Sequence, residues 1–288
     1  MEKYYSFAGI DFSVSASEEL MYSDDRMLAP FRSDRMSNPH RFEFVQVDKL
    51  SLPFGNVATV MDSFVEYSDG DIRLRYIGTV NGDITSAHIR AEHRGKYHSV
   101  QLKKSAYPSG LGPKVVLNAL MAEHLVVQNG GFMFHCSFID RDGKAVLFTA
   151  PSGTGKSTQA DLWNEHRGCE IVNGDRAVVR LADGHILAEG IPFAGSSKYC
   201  KNKSLPLGAI VYLAQAEKTS VSKMRGYEAF LKIWEGVSVN SWDKDDMSRV
   251  SQTVKTVVEQ VPVFYMPCTP NKSAVEVLEQ HLRKWDNT

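Results

Sequence analysis

Cysteine is scarce in this chain: four in 288 residues, at positions 136, 169, 200 and 268, with no CxxC pair and no histidine-rich neighbour. That scatter excludes the spacing of a structural zinc site or a disulfide framework and points to reduced thiols. No apolar run approaches the roughly 20 residues of a membrane span, so no membrane partner is expected. The first residues, Met1-Glu-Lys-Tyr-Tyr5, lack the apolar stretch of a signal peptide, and a cytoplasmic location is the expectation. An excess of one charge is also missing. Lys and Arg number 33 against 34 Asp and Glu, a net charge of −1, which gives no global electrostatic reason to expect a nucleic-acid partner. Repeats and low-complexity tracts are absent. What remains is ordinary for a globular protein, 43% hydrophobic and 23% charged, with length for one large domain or two modest ones.

The pattern divides the chain into a β-rich N-terminal domain, residues 1–107, and an α/β domain, residues 108–288. Strand-like runs in the first part cover Tyr4–Val14, Arg41–Val47, Val57–Tyr67, Ile72–Thr79, Ile84–Glu92 and Tyr97–Lys103. Their short spacing predicts antiparallel sheet, with a hairpin turn at Asn81-Gly82, where both residues tolerate positive φ. Ser17–Asn38 reads as a polar surface loop, and 106–113, rich in Gly and Pro, as a linker. Val116, Leu117, Leu120, Met121, Leu125 and Val126 then fall at the spacing of one helix, ended by Gly130-Gly131. Phe132–Ile139 reads as one strand, and Asp140–Gly143 and Ala182–Gly184 as hairpin turns. Strands are expected at Cys169–Asn173, Leu207–Ala214 and Pro262–Met266, and helices at Tyr227–Trp234 and Asp243–Gln260. Asp243–Asp246 reads as an acidic helix start, and Ser273 with Glu276 as a capping box for the last helix.

The most informative segment is Ala145–Thr158. An apolar strand runs into Ser152-Gly-Thr-Gly-Lys-Ser157 and Thr158, and the helical stretch Gln159–Trp163 follows. Strand, glycine-rich loop and helix in this order form a P-loop, or Walker A motif. Gly153 and Gly155 let successive backbone N–H groups turn inward around a phosphate, with Ser152 and Thr154 between and beside them. The helix N-terminus adds unpaired donors. Lys156 is expected to reach the β- and γ-phosphates, Ser157 to hold Mg²⁺, and Thr158 to help close the loop. The usual first glycine is Ala150 here, followed by Pro151, whose preset φ can start the turn. A nucleoside triphosphate, ATP with Mg²⁺, is the expected ligand. Glu170-Ile-Val-Asn-Gly-Asp175-Arg176 supplies a carboxylate at the end of an apolar strand, and Asp175 is the expected metal-binding acid.

His135, Ser152–Ser157, Val172–Arg176 and the loop Gly190–Ser197 together resemble the HPr kinase/phosphorylase family. They are closest to its small members often labelled phosphoenolpyruvate carboxykinase-like, over residues 112–285. The resemblance implies a P-loop core of the phosphoenolpyruvate carboxykinase and HPr kinase type, and phosphoryl transfer to a serine hydroxyl of a protein or peptide. It places His135 near the γ-phosphate and makes Asp175 the second carboxylate of the family's acidic pair. The first is absent, because its position is Gly174. Catalytic work would then rest on Asp175, His135 and Lys156. Gly195, Ser196 and Ser197, followed by Lys198, Lys201 and Lys203, form a candidate phosphate or substrate loop. Arg176 could touch phosphate or pair with an acid. A homo-oligomer is left open by the resemblance.

The expected activity is therefore an ATP- and Mg²⁺-dependent phosphotransferase with an alcohol acceptor on a peptide, protein or small metabolite. The alternative is a non-catalytic ATP-binding regulatory module whose chemistry lapsed with Gly174. A true phosphoenolpyruvate carboxykinase activity ranks third, since the chain looks short for that enzyme and shows no clear arginine set for a dicarboxylate.

Overall fold

The computed structural model describes residues 1–21, 27–34, 36–108, 111–195 and 197–286. They form a mixed α/β structure with two large sheets and, among the described residues, six α-helices. The chain divides into two compact units, Met1–Leu125 and Val126–Thr288.

The first unit is built on β1 (Glu2–Phe7), β2 (Ile10–Ser15), β3 (Arg32–Ser33), β4 (His40–Val47), β5 (Asn56–Val60), β6 (Phe64–Asp69), β7 (Ile72–Ile77), β8 (Ile89–Arg94) and β9 (Tyr97–Lys103). They join in the order β3-β1-β2-β4-β9-β8-β7-β6-β5. Most pairs are antiparallel, as the spacing suggests, but β2–β4 and β4–β9 run parallel. Two expected single strands are hairpins. Tyr4–Val14 folds back at Ala8-Gly9, both at positive φ, so Phe7 faces Ile10 across the turn. Val57–Tyr67 breaks into β5 and β6. Ile84–Glu92 is a strand only from Ile89. Ile84–Ser86 is a 3-10 turn, because the Asp83 carboxylate accepts from the Thr85 N–H and caps it. Asn81 and Gly82 do take positive φ, but they close only an isolated bridge between Val80 and Asp83. The loop expected at 17–38 and the linker at 106–113 lie partly outside the described residues.

The helix expected across 116–126 is two, α1 (Pro113–Ala119) and α2 (Ala122–Gln128). Met121 sits between them at φ 48°, a left-handed conformation that no helix continues through.

The second unit begins with β10 (Gly131–His135), β11 (Ser137–Arg141), β12 (Lys144–Thr149), α3 (Lys156–Arg167), β13 (Glu170–Asn173), β14 (Arg176–Ala182) and β15 (His185–Glu189). It ends with β16 (Ser204–Gln215), β17 (Ser222–Met224), α4 (Gly226–Trp234), β18 (Val237–Ser238), α5 (Lys244–Gln260), β19 (Val263–Cys268) and α6 (Lys272–Asp286). The strand order is β13-β11-β12-β16-β15-β14-β10-β18, with β19 on the other side of β16 and β17 beyond it. The single strand expected over Phe132–Ile139 splits at Cys136. β10 pairs with β14 and β18, whereas β11 pairs with β12 and β13.

Period-two alternation feeds two cores. In β12, Ala145 and Leu147 join a cluster with Phe132, Phe134, Ile210, Ile233, Val250 and Val254, which lies under α4 and α5. Val146 and Phe148 point the other way, to Trp163, Val211, Leu213 and Leu278 beneath α3 and α6. Each such side chain, fully buried, contributes about 1.5–3 kcal/mol. Helices on both faces therefore clamp the parallel strands β12, β16 and β19, and the ends of those strands are where the loops gather. Asp243 caps α5 through the Asp245 and Asp246 N–H groups, as the acidic start suggests. The cap of α6 is Asn271, not Ser273: its side-chain oxygen accepts from both the Ser273 N–H and hydroxyl.

Candidate functional site

β12 ends at Thr149, buried against its neighbours, and the chain turns through Ala150–Gly155 into α3. Gly153 stands at φ 78° and Gly155, the residue before the first helical turn, at φ 118°. A side chain would be strained at either angle, and no side chain caps the helix. Its first backbone donors are thus left for a ligand. Lys156 opens the helix, only 8% exposed, and its ammonium donates to the carbonyls of Ala150 at 3.0 Å and Pro151 at 3.3 Å. Burial lowers the affinity of this ammonium for its proton, and the Asp175 carboxylate opposes that shift.

Facing the turn is the end of β13. Asn173 is fully buried and holds two segments at once. Its side-chain oxygen accepts from the Asp175 N–H at 2.9 Å and the Arg176 N–H at 3.0 Å. Its amide nitrogen donates to the carbonyls of Ile191 and Phe193, each at 3.0 Å. Four hydrogen bonds from one side chain thereby fix Asp175 and the loop that crosses in front of it. The Asp175 carboxylate lies 3.8 Å from His135 Nε2 and accepts from Arg176 Nε at 3.2 Å. His135 itself is set by its backbone: its N–H donates to Gly236, and its carbonyl accepts from the Thr149 hydroxyl at 3.0 Å. Burial, with Lys156 and Arg176 nearby, lowers its pKa below 6.5, against the pull of Asp175. The adjacent Cys136 thiol is fully buried, and burial pushes its pKa up, so it is inert as a nucleophile.

These groups line one cavity of about 580 Å³. His135, Ser152, Gly153, Gly155, Lys156, Ser157, Thr158, Gly174, Asp175 and Ser197 all border it, with Lys198 and Tyr199 at its far side. Thr154 instead borders two neighbouring cavities on the other side of the turn. Gly195, at φ 53°, packs so closely on Asp175 that a Cβ there would meet its carboxyl carbon at 2.8 Å. Ser196 lies outside the described residues. Arg176 is engaged with Asp175, which resolves the choice the sequence left between phosphate and an acid. Of the lysines in the basic loop, Lys198 reaches the cavity and sits 5.2 Å from the Tyr199 ring. Lys201 is paired with Glu170, and Lys203 with Glu170 and Asp140, acids the local sequence did not suggest.

Gly174 has a partner of its own. A Cβ at this position would collide with the Ser197 hydroxyl and stand 2.8 Å from the Ser197 Cβ. The place a carboxylate would occupy is filled by the loop, whose Ser197 Oγ also accepts from the Tyr199 N–H at 3.1 Å. Neither this packing nor the role of Asn173 is visible as a motif, because each joins positions about 20 residues apart.

Residues 115–283 match the model of the family described as ScmC, SynChlorMet cassette protein ScmC. The chain belongs to the ScmC family. The ScmC match runs from inside α1 to α6 and takes in every residue placed around the cavity. No curated protein matches the chain. Among solved structures, the HPr(Ser) kinase/phosphatase from Coxiella burnetii is similar over 54% of this chain and 98% of its own, at 14% identity and a TM-score of 0.35. Agreement that slight carries no argument about the ScmC chain. Among its described residues, no helix is long and apolar enough to cross a membrane.

Proposed function

We propose that this ScmC-family chain is an ATP- and Mg²⁺-dependent kinase that transfers the γ-phosphate to a hydroxyl of a peptide, protein or small metabolite. The observation that carries the reading is a convergence: a glycine-rich turn with free helix donors, a buried lysine, and a histidine–aspartate pair all border one cavity. In this reading the turn is a P-loop in a core of the HPr kinase and phosphoenolpyruvate carboxykinase type. Backbone N–H groups from Ser152 to Thr158 bind the phosphates, and Lys156 leaves its two carbonyl acceptors to neutralise the β- and γ-oxygens. The Ser157 hydroxyl and the Asp175 carboxylate are hard oxygen donors on the same cavity, as Mg²⁺ requires, and the ion would add charge neutralisation there.

The acceptor oxygen attacks the γ-phosphorus, the bond to the β-bridging oxygen breaks, and ADP leaves. The hydroxyl proton passes to His135 Nε2 or to Asp175. A lowered pKa keeps His135 neutral near pH 7, which suits it to take that proton. Arg176 orients the other oxygen of the Asp175 carboxylate.

One observation favours the second reading, a non-catalytic ATP-binding module. Ser197 occupies the space beside Gly174, so the chain is built around the missing carboxylate. Measuring ADP release separates the two. Wild type, Lys156→Ala and Asp175→Asn are assayed with ATP and Mg²⁺, with and without extract of the native host, while ATP binding is followed separately. Extract-stimulated turnover that both substitutions abolish supports the kinase. ATP binding without turnover in every condition supports the module and refutes the kinase.

A further inference from the structure

Behind the glycine-rich turn lies a second cavity, of about 410 Å³, and its chemistry differs from that of the first. The two share Gly153, Gly155 and Thr158, so they open on either side of one turn. The first carries Lys156, Asp175 and His135. The second has no charged side chain among its described lining residues; Gln159, Gln215, Cys268 and Pro270 border it. Gln159 stands out. It is on the first turn of α3, only 2% exposed, and its amide nitrogen donates to Cys268 Sγ at 3.4 Å. Its amide oxygen is fully buried and has no hydrogen-bond partner. A buried carbonyl oxygen without a donor carries a desolvation cost that a donor from a ligand would remove.

We infer that this cavity is the nucleobase subsite, and that Gln159 is its specificity-determining residue, accepting a hydrogen bond from the exocyclic amino group of adenine. The inference rests on the turn being a phosphate cradle. If the terminal phosphate lies with Lys156 and Asp175, the nucleoside must leave the turn on the opposite side, and this neutral cavity is what lies there. A flat, uncharged base suits a lining of proline, thiol and amide, and one placed acceptor supplies the selection. The wall opposite Gln159 comes from the loops after β16 and β19, Gln215-Ala216 and Cys268–Pro270.

The test is equilibrium binding, which needs no turnover. Four probes are compared on the full chain: ATP, purine riboside triphosphate (no 6-amino group), ITP (a 6-oxo group instead) and inorganic tripolyphosphate. ATP is expected to bind about tenfold tighter than purine riboside triphosphate, the worth of one hydrogen bond to a buried partner. Gln159→Leu should erase that preference and leave tripolyphosphate binding unchanged. A readout on wild type alone guards against a poorly folded variant. Cys268 borders the cavity and is partly exposed, so ATP, but not tripolyphosphate, should slow its alkylation by N-ethylmaleimide, while the equally accessible class of thiol at Cys200 serves as control. Equal binding of ATP and purine riboside triphosphate to wild type overturns the assignment. Tighter binding of ITP also overturns it, since the amide would then be donating. If even tripolyphosphate fails to bind, the phosphate cradle itself is wrong and the base subsite falls with it.

Discussion

Restoring a side chain at position 174 tests the site's construction directly. A Cβ there stands 2.8 Å from the Ser197 Cβ and closer still to its hydroxyl. Rotating the hydroxyl does not relieve the clash, because the Ser197 Cβ is itself too near. Overpacking of this kind costs about 1–3 kcal/mol. Replacing glycine by alanine returns about 0.4–1 kcal/mol through the unfolded chain, as φ at 174 is not in the left-handed region. Gly174→Ala should therefore destabilise by about 0.5–2.5 kcal/mol, and a unit of this size loses roughly 2–4 °C of Tm per kcal/mol. In a Ser197→Gly background the obstacle is gone: the next atom, Tyr199 Cδ2, is at 3.9 Å, an ordinary contact. There the same substitution should be neutral or raise Tm by a few degrees. Thermal melts of the wild type, both single variants and the double variant close a double-mutant cycle, with an expected coupling of about 1–3 kcal/mol. A coupling below about 0.5 kcal/mol would show that Ser197 does not fill the place beside Gly174, and the account of the missing carboxylate would fall.

Asn173→Ala removes four hydrogen bonds at a fully buried position and should cost about 2–4 kcal/mol, measured by urea unfolding, with a proportionally larger loss of nucleotide turnover. Lys156→Ala should lower turnover by on the order of 10²-fold or more while leaving the melting temperature close to wild type; a mild effect on turnover would remove lysine from the reaction. Because the His135 pKa is lowered, the acid limb of the rate–pH profile should fall below pH 6.5, and His135→Gln should abolish that limb. In the N-terminal unit, burial lowers His93 to a pKa of about 3 and His98 to about 2. Unfolded histidine titrates near 6.5, so below that pH the unfolded state binds more protons and stability falls as pH falls. Urea melts should show a loss of up to about 2.7 kcal/mol per pH unit between pH 5.5 and 4, halved in His98→Phe. A flat profile there would mean these rings are not held neutral.

What the sequence disclosed was what short-range chemistry writes into consecutive residues. Asp142-Gly143 and Asp183-Gly184 close hairpins as expected because both positions take positive φ with little penalty. The turn before α3 is legible for the same reason: its ligand contacts would come from backbone within seven residues. Breaks without turn residues were not legible. Met121 interrupts a good helical pattern, and Cys136, an apolar residue among apolar residues, sends the chain from one set of strand partners to another. The pairing of His135 with Asp175 was suggested only through resemblance, since 40 residues separate them. Gln159 looked like any helix residue, and its orphaned oxygen appears only once Cys268, 109 positions away, is placed beside its nitrogen.

β16 gives the second unit an order of disassembly. Near its start it pairs with β15, through Leu205 and Pro206, and further along it is bonded on both sides, to β12 from Leu207 to Tyr212 and to β19 from Ile210 to Cys268. The overlap, Ile210–Tyr212, has neighbours on both edges and helices over both faces. Its amides can meet solvent deuterium only when the whole unit opens, whereas those of β18, a two-residue strand at the sheet's margin, need no such event. The glycine-rich turn hangs from β12 next to that last-to-open strip. A loop that must admit and release a ligand is thus anchored at the slowest-exchanging point of its unit, so that its own movement need not loosen the sheet that carries it.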